Sequence, residues 1–136
     1  LSAKMIYAHE TGIDVTIDIP DFVAEFSMDT VDLARILGIF LDNAIEAALE
    51  TAHPKVGLNI IQNPNSAAII ISNSFQENSL ALHKLKQKGF TTKKGHQGIG
   101  LSNAQKIISS YDNILLETTK QGGYFTQYME ISARKE

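Results

Sequence analysis

The stretch LDNAIEAA, residues 41–48, decides the fold because it sets polar side chains into an otherwise apolar, helical segment. Its counterpart is FTTKKGHQGIGL, residues 90–101, a basic and glycine-rich segment that runs into a second apolar stretch. The first segment offers oxygen atoms of the kind that Mg²⁺ prefers. The second offers lysines and backbone N–H groups, which favour phosphate. Together the two segments predict a site for a metal ion and a polyphosphate.

The composition favours one folded domain that binds a small anion. The chain has 136 residues, of which 43% are hydrophobic, so it can bury a core. The net charge of −3 argues against a nucleic-acid partner, although five lysines fall within residues 84–94. The absence of cysteine excludes thiol nucleophiles, disulfides and zinc–thiolate sites. No apolar run approaches the roughly 18 residues that span a bilayer, so we expect no direct membrane contact by this domain.

The first residue is leucine and not methionine, so we expect the chain to be a piece of a larger protein. Alternation of apolar and polar residues over residues 13–19 predicts a half-buried strand. Four further apolar runs predict two antiparallel hairpins, since turn-forming residues separate the members of each pair. The pairs are residues 56–61 with 67–72, and residues 113–119 with 124–132.

Two longer segments carry the spacing of amphipathic helices. The first runs from Leu33 to about Glu50, and Asp29 is placed to cap it. The second runs from Ile99 to Tyr111. Between the hairpins, a short helix is predicted at 79–88 and a loop at 89–98. This order of elements predicts an α+β fold, a two-layer α/β sandwich with helices on one face of a mixed, mostly antiparallel sheet.

Polar residues on the first long helix have two interpretations. Asp42, Asn43 and Glu46 lie near one line of the helix, because residues three and four apart share a face. One interpretation is the solvated side of an amphipathic helix. The other is that Asn43 presents its side-chain carbonyl to Mg²⁺, which needs few protein oxygens when phosphates supply the rest.

The glycine segment also leaves two interpretations open. Gly95, Gly98 and Gly100 have the spacing G-x-x-G-x-G, which is neither the Rossmann nor the Walker pattern. Glycines let the backbone approach a phosphate, and Lys93 and Lys94 add positive charge beside a helix N-terminus. The alternative is a flexible loop with a glycine at a helix end.

Both segments, in this order, resemble the motifs of one family. DNAIEA, residues 42–47, resembles the N box of the GHKL ATP-binding fold, also called the Bergerat fold. GHQGIGL, residues 95–101, resembles its G2 box, and Phe90 stands where histidine kinases of this fold carry the F box. The resemblance covers roughly residues 13–132. LGIFLDNAIEA, residues 37–47, resembles more closely the Agr and Com type of receptor kinases, which sense peptide pheromones in Gram-positive bacteria.

The resemblance implies ATP and Mg²⁺ as cofactors, with Asn43 as the metal ligand. Residues near 89–97 would form a lid over the nucleotide. No catalytic residue is assigned, because the family's phosphoacceptor histidine lies on an upstream dimerisation domain. The residues implied to bind the nucleotide are Asn43, Glu46, Asn73, Phe90, Lys93, Lys94, Gly95, Gly98, Ile99, Gly100 and Leu101.

Two departures from the family pattern bear on the site. The fold usually carries a D-x-G-x-G box whose aspartate binds adenine, whereas this strand ends in ISNSF, residues 71–75. Asn73 is the expected replacement and Ser72 is the alternative register. One turn before Asn43, ATPases of the fold carry a glutamate as general base, but this chain carries Ile39. Isoleucine cannot deprotonate water, so we expect little intrinsic ATP hydrolysis.

The function implied by the resemblance is that of a sensor histidine kinase in a two-component quorum-sensing system. Residues 1–12 would link the upstream dimerisation domain to the catalytic domain, residues 13–136. The γ-phosphoryl group would pass to the upstream histidine and then to a response regulator. The parent would be a homodimer in the bacterial cell membrane, with this domain in the cytoplasm. The alternatives are a nucleotide-gated interaction module without transferase activity and an anti-sigma type of serine kinase.

Overall fold

A computed structural model describes residues 2–76 and 96–134 of the chain. The predicted short helix at 79–88 and most of the predicted loop at 89–98 lie outside this part. Three helices and five strands are described, and we number them in chain order. They are α1 (Ser2–Glu10), β1 (Asp14–Asp18), α2 (Thr30–Ala48), β2 (Lys55–Asn63), β3 (Ser66–Ser74), α3 (His96–Ser109), β4 (Ile114–Gln121) and β5 (Tyr124–Ser132).

The strands form a five-stranded mixed sheet with the order β1-β2-β3-β5-β4. β1 pairs parallel with β2, and every other pairing is antiparallel. Gly122 and Gly123 close the β4–β5 hairpin with φ angles of 61° and 80°, a left-handed conformation that glycine adopts without steric cost. The predicted hairpins and the predicted α+β class are therefore confirmed.

Helix α2 packs its apolar side on the sheet and provides much of the core. The helix begins after Asp29, whose side chain accepts a hydrogen bond from the Asp32 backbone N–H at 3.0 Å, as the sequence predicts. Ile36, Phe40 and Leu41 are buried on the inner side. They meet inward-facing residues of the central strands, which include Leu58, Ile69, Ile71 and Met129. This packing fixes the helix over the middle of the sheet.

The first strand is present but is less buried than its alternation predicts. Ile13, just before β1, is buried under α1, whereas Ile17 is 51% exposed and Ile19 is 44% exposed. The physical reason is position, since β1 is an edge strand and α1 is only nine residues long. A helix of that length covers the start of β1 and leaves its far end open.

Helix α3 begins earlier than the apolar spacing predicts. Residues 96–98, assigned from the sequence to a loop, form its first turn. Apolar periodicity detects only the turns that pack on the core, such as the turn that carries the buried Ala104. The sequence of the first turn, HQG, has no apolar residue that could extend this period. The first backbone N–H groups of any α-helix have no partner within the helix. Within the described part of the chain, no helix combines the length and apolarity needed to cross a membrane.

Candidate functional site

A cavity opens between α2, the sheet and the start of α3. Its wall is mainly apolar, and three amide side chains interrupt that wall. The lining residues are Phe40, Asn43, Ala44, Ala47, Ile71, Asn73, Phe75, Leu101, Phe125 and Gln127. Concave, largely apolar sites with a few polar groups are typical of small-molecule binding. Three residues that the sequence singled out, Asn43, Asn73 and Leu101, thus lie around one space although they come from three different elements.

Asn43 is the polar residue that α2 brings to the cavity. Its Nδ2 atom is buried and has no hydrogen-bond partner among the described residues. Burial of an amide N–H group without a hydrogen-bond partner costs free energy, which suggests that a bound ligand pairs with this side chain. Rotation of the amide by 180° exchanges Nδ2 with Oδ1, so the side chain can present an oxygen to a cation. Asn43 therefore fits the predicted role of a magnesium ligand.

Asn73 lies at the end of β3 and is only 3% exposed. Its Nδ2 donates a hydrogen bond of 2.8 Å to the backbone carbonyl oxygen of Ser74. That carbonyl can only accept, so the amide orientation is determined and Oδ1 is the atom left to accept from a ligand. Burial and a determined orientation are what a residue needs in order to recognise one group on a ligand.

Ser72 was the alternative register for the missing aspartate, and it lies on the other face of the sheet. A Cβ atom placed at Gly57 on β2 would lie 3.0 Å from the Ser72 Oγ. Successive side chains of a strand point to opposite faces, so Asn73 and Ser72 cannot share the cavity. The geometry places Asn73, and not Ser72, beside the cavity.

The start of α3 borders the cavity through Leu101. Gly98 and Ile99 belong to the first turn of the same helix, and Gly100 faces α2. A Cβ atom at Gly100 would lie 3.4 Å from the Cγ2 of Ile39. The backbones of the two helices therefore come close where the predicted N and G2 boxes meet. Unpartnered N–H groups at a helix N-terminus favour an anion, which is the physical basis of the predicted triphosphate position.

Other predicted residues are not brought to this cavity by the described structure. Glu46 lines a separate groove between α1 and α2, together with Lys4, Tyr7 and Asp42. Lys4 there forms a 2.7 Å ion pair with Asp42. No contact of Glu46 with the cavity therefore supports its assignment to the nucleotide. Four predicted residues lie outside the described part of the chain, namely Phe90, Lys93, Lys94 and Gly95.

Gln127 on β5 is 8% exposed and lines the cavity, although the sequence did not predict it as a site residue. Its neighbour across the hairpin, Thr118, donates a hydrogen bond of 2.5 Å to the Gln127 Oε1. The alternation of residues along β5 did contain a signal for Gln127. Phe125, Gln127, Met129 and Ile131 occupy one face of β5, so the period of two places a polar amide in an apolar row.

Two phenylalanines form an aromatic wall at the same end of the sheet. The rings of Phe75 and Phe125 meet edge to face, with centroids 6.3 Å apart and planes at 74°. The backbone N–H of Phe75 donates to the carbonyl oxygen of Gly123 at 2.9 Å, which ties the strand end to the β4–β5 turn. Aromatic walls favour a flat, apolar ligand surface such as a heterocyclic base.

A cation in this cavity would depend on few protein ligands. Within residues 2–76 and 96–134, no group of three or more histidine, aspartate or glutamate side chains is arranged to hold a metal ion. Mg²⁺ commonly retains waters and takes phosphate oxygens together with one or two protein oxygens. A site with Asn43 as its protein ligand therefore fits magnesium bound as a nucleotide complex.

Solved structures of histidine kinases share this fold. The chain matches the catalytic domain of the histidine kinase ThkA with a TM-score of 0.73 and 21% identity, over 99% of this chain and 92% of that one. It matches Acinetobacter baumannii histidine kinase AdeS with a TM-score of 0.71 and 17% identity, over 99% and 61% of the two chains. The mycobacterial sensor histidine kinase MprB gives a TM-score of 0.68 and 16% identity, over 99% and 95%. These likenesses establish the fold.

The family follows from the sequence profile. The profile of the GHKL domain matches residues 28–132, which include α2, α3 and the four strands β2 to β5. The chain therefore belongs to the GHKL domain family. A comparison with curated proteins gives no match.

Proposed function

We propose that this chain is the ATP-binding catalytic domain of a sensor histidine kinase. The observation that carries the proposal is the convergence of Asn43, Asn73 and Leu101 on one cavity in a GHKL domain. These residues come from α2, β3 and α3, and each stands where the family resemblance places a part of the nucleotide site. The likeness to histidine kinase catalytic domains supports the same proposal at the level of the fold.

Each part of the cavity has a defined task in this proposal. The apolar wall and the rings of Phe75 and Phe125 receive the base, and Asn73 Oδ1 accepts a hydrogen bond from it. The amide oxygen of Asn43 holds magnesium beside the phosphates. The first turn of α3 directs backbone N–H groups toward the phosphates, whose negative charge the helix dipole favours.

The reaction in this proposal is phosphoryl transfer to a histidine outside the chain. Mg·ATP supplies the γ-phosphoryl group when it is bound. The residues of this chain orient the nucleotide and neutralise charge, which are the main contributions that proteins make to phosphoryl transfer. The side chain at position 39 is an isoleucine that packs near Gly100 and offers no base to activate water. Transfer to a protein histidine is thereby favoured over hydrolysis.

The finer assignment rests on the resemblance alone. We place the chain in the pheromone-sensing Agr and Com type because of the LGIFLDNAIEA segment, residues 37–47. The partners are then an upstream dimerisation domain, which makes the parent a homodimer, and a response regulator that receives the phosphoryl group. The parent lies in the bacterial cell membrane and this domain lies in the cytoplasm.

The proposal is tested by calorimetric titration of the chain with a non-hydrolysable ATP analogue, with and without Mg²⁺. Wild type should bind, and Asn43→Ala should lose at least about tenfold in the affinity that depends on Mg²⁺. Asn63→Ala is the matched control, since Asn63 is exposed at the opposite end of β2 from the cavity. Absence of binding by wild type would refute the proposal, and equal affinities in all three proteins would remove Asn43 from the site.

A second candidate function is a nucleotide-gated interaction module without transferase activity. Ile39 favours it, because the position has no group that could act as a general base. Incubation with ATP of a longer protein that includes the upstream helical region separates the candidates. Acid-labile phosphohistidine supports the kinase, and its absence supports the module. An acid-stable phosphoserine on a partner protein would point to an anti-sigma type of serine kinase.

A further inference from the structure

We infer that Gln127 is a further specificity-determining residue, which acts beside Asn73 to distinguish a 6-amino purine from a 6-oxo purine. This inference rests on the proposed function, because it concerns the base of the bound nucleotide. Both residues line the cavity and both are less than a tenth exposed. Buried polar groups reject a ligand that leaves them unpaired or opposed, so they discriminate more strongly than an apolar wall does.

The register of the sheet places the two amides side by side. Asn73 on β3 is directly opposite Phe125 on β5, and Gln127 is two residues further along β5 on the same face. Diagonal neighbours of this kind are about 7–8 Å apart at the backbone, within reach of long side chains. The two amides can therefore contact adjacent positions on the edge of one base.

Asn73 presents to that base an acceptor whose orientation is determined. Its Nδ2 is held at 2.8 Å by the carbonyl oxygen of Ser74, and a turned amide would oppose two acceptors. The free Oδ1 pairs with an amino group and is repelled by a carbonyl oxygen. Asn73 thus favours a purine that carries an amino group at position 6.

Gln127 offers the complementary donor. In the orientation that the structure has, the Thr118 hydroxyl donates to the Gln127 Oε1 at 2.5 Å, and Nε2 is then available to donate to a ligand. Adenine presents an amino donor at position 6 beside a ring-nitrogen acceptor at position 1. Guanine and hypoxanthine present the reverse, a carbonyl acceptor beside an N–H donor. The order of acceptor and donor in the protein therefore matches adenine.

The experiment measures the binding of the imido analogues of ATP and ITP, with Mg²⁺, to the whole chain by calorimetry. The two analogues differ only at positions 1 and 6 of the purine ring. Hypoxanthine is used in place of guanine because it lacks the bulky 2-amino group. Wild type should bind the ATP analogue at least about tenfold more tightly than the ITP analogue. Gln127→Glu should lower this ratio about tenfold, because it replaces the donor by an acceptor while Thr118 can still donate to it.

The new carboxylate repels the phosphates of both analogues equally. The ratio of the two affinities therefore cancels this general repulsion. Gln105→Glu, on the exposed side of α3, is the matched control and should leave the ratio unchanged. If circular dichroism shows that Gln127→Glu does not fold, Gln127→Leu takes its place, and it should also lower the ratio because the donor is removed.

The outcomes separate this inference from the proposed function. Equal binding of both analogues by wild type overturns the amide pair and leaves ATP binding intact. A wild-type ratio that persists in the folded Gln127 variant overturns the role of Gln127. Failure of wild type to bind either analogue overturns the proposed function, and the amide pair with it.

Discussion

Ile39 on α2 and Gly100 on α3 face each other so closely that a Cβ atom at Gly100 would lie 3.4 Å from the Ile39 Cγ2. The contact joins the two segments that the sequence singled out. A hydrophobic side chain therefore occupies the position at which, by the family resemblance, ATPases of this fold carry their general base. The side chain that packs α2 against α3 is thus the same one that leaves the domain without a general base for ATP hydrolysis.

Hydrolysis of ATP should be slow in wild type and faster after Ile39→Glu. The substitution places a carboxylate one helical turn before Asn43, where it can accept a proton from water. We expect phosphate release to rise by about tenfold or more, given the usual contribution of a general base. Release of inorganic phosphate, measured with saturating Mg·ATP, checks this.

Ile39→Gln is the control for that experiment, because it adds polarity without a base. Rates that are equal in the Glu and Gln variants would mean that the carboxylate does not act on water. A wild-type rate as high as that of the Glu variant would contradict the expectation from Ile39.

Gly57→Ala should destabilise the domain through one atom. Its new methyl group would lie 3.0 Å from the Ser72 Oγ, which is tighter than most such contacts and requires the neighbouring atoms to shift by a few tenths of an ångström. We expect a loss of about 1–3 kcal/mol in the free energy of unfolding, as for overpacked sites. Denaturant titration measures it. The double variant with Ser72→Ala removes the obstructing oxygen and should recover most of the loss, and additive losses would show that the contact is not the cause.

Ser74→Ala should also lower stability. The Ser74 Oγ, in a side chain that is 8% exposed, accepts a 2.9 Å hydrogen bond from the Lys55 backbone N–H and lies 3.0 Å from the Thr51 Oγ1. Removal of the Ser74 hydroxyl leaves the Lys55 backbone N–H without this partner, which should lower the free energy of unfolding by about 1–3 kcal/mol. Ser66→Ala, at the other end of β3, is the control. Similar denaturation midpoints for the two variants would contradict this prediction.

Tyr111→Phe should destabilise the domain at neutral pH. The Tyr111 hydroxyl donates a 2.6 Å hydrogen bond to the Asp32 carboxylate and accepts one of 3.1 Å from the Asp29 backbone N–H. It therefore ties the chain after α3 to the first turn of α2. The midpoint of thermal unfolding should fall, and Tyr124→Phe, which alters an exposed tyrosine, should leave it nearly unchanged.

The difference between wild type and Tyr111→Phe should depend on pH in one direction. The hydrogen bond to Asp32 raises the pKa of Tyr111 above its ordinary value of 10.0. A raised pKa in the folded state means that the stabilisation is complete below pH 10 and is lost as pH rises through the folded-state pKa. Thermal unfolding at a series of pH values tests this. A difference that grows above pH 10 would contradict the assigned cause.

Local patterns predicted most of the elements, because a period of two or of 3.6 is a property of the chain itself. The cap at Asp29, the two hairpins and the long helix α2 appear where the pattern predicts them. The start of α3 does not, because the sequence HQG at residues 96–98 has no apolar residue that would extend the period. A local pattern does not show which elements meet in the fold. Asn43 and Leu101 were therefore predicted from motif spacing and from the family resemblance.

What the sequence determined by itself is the set of elements and the chemistry that each carries, since both depend on neighbours along the chain. Tertiary structure decided which groups meet. It selected Asn73 over Ser72, placed Glu46 in another groove, left Ile17 exposed at a sheet edge and brought Gln127 into the cavity. These outcomes depend on strand order, register and the reach of α1, which are set by packing between residues far apart in the chain.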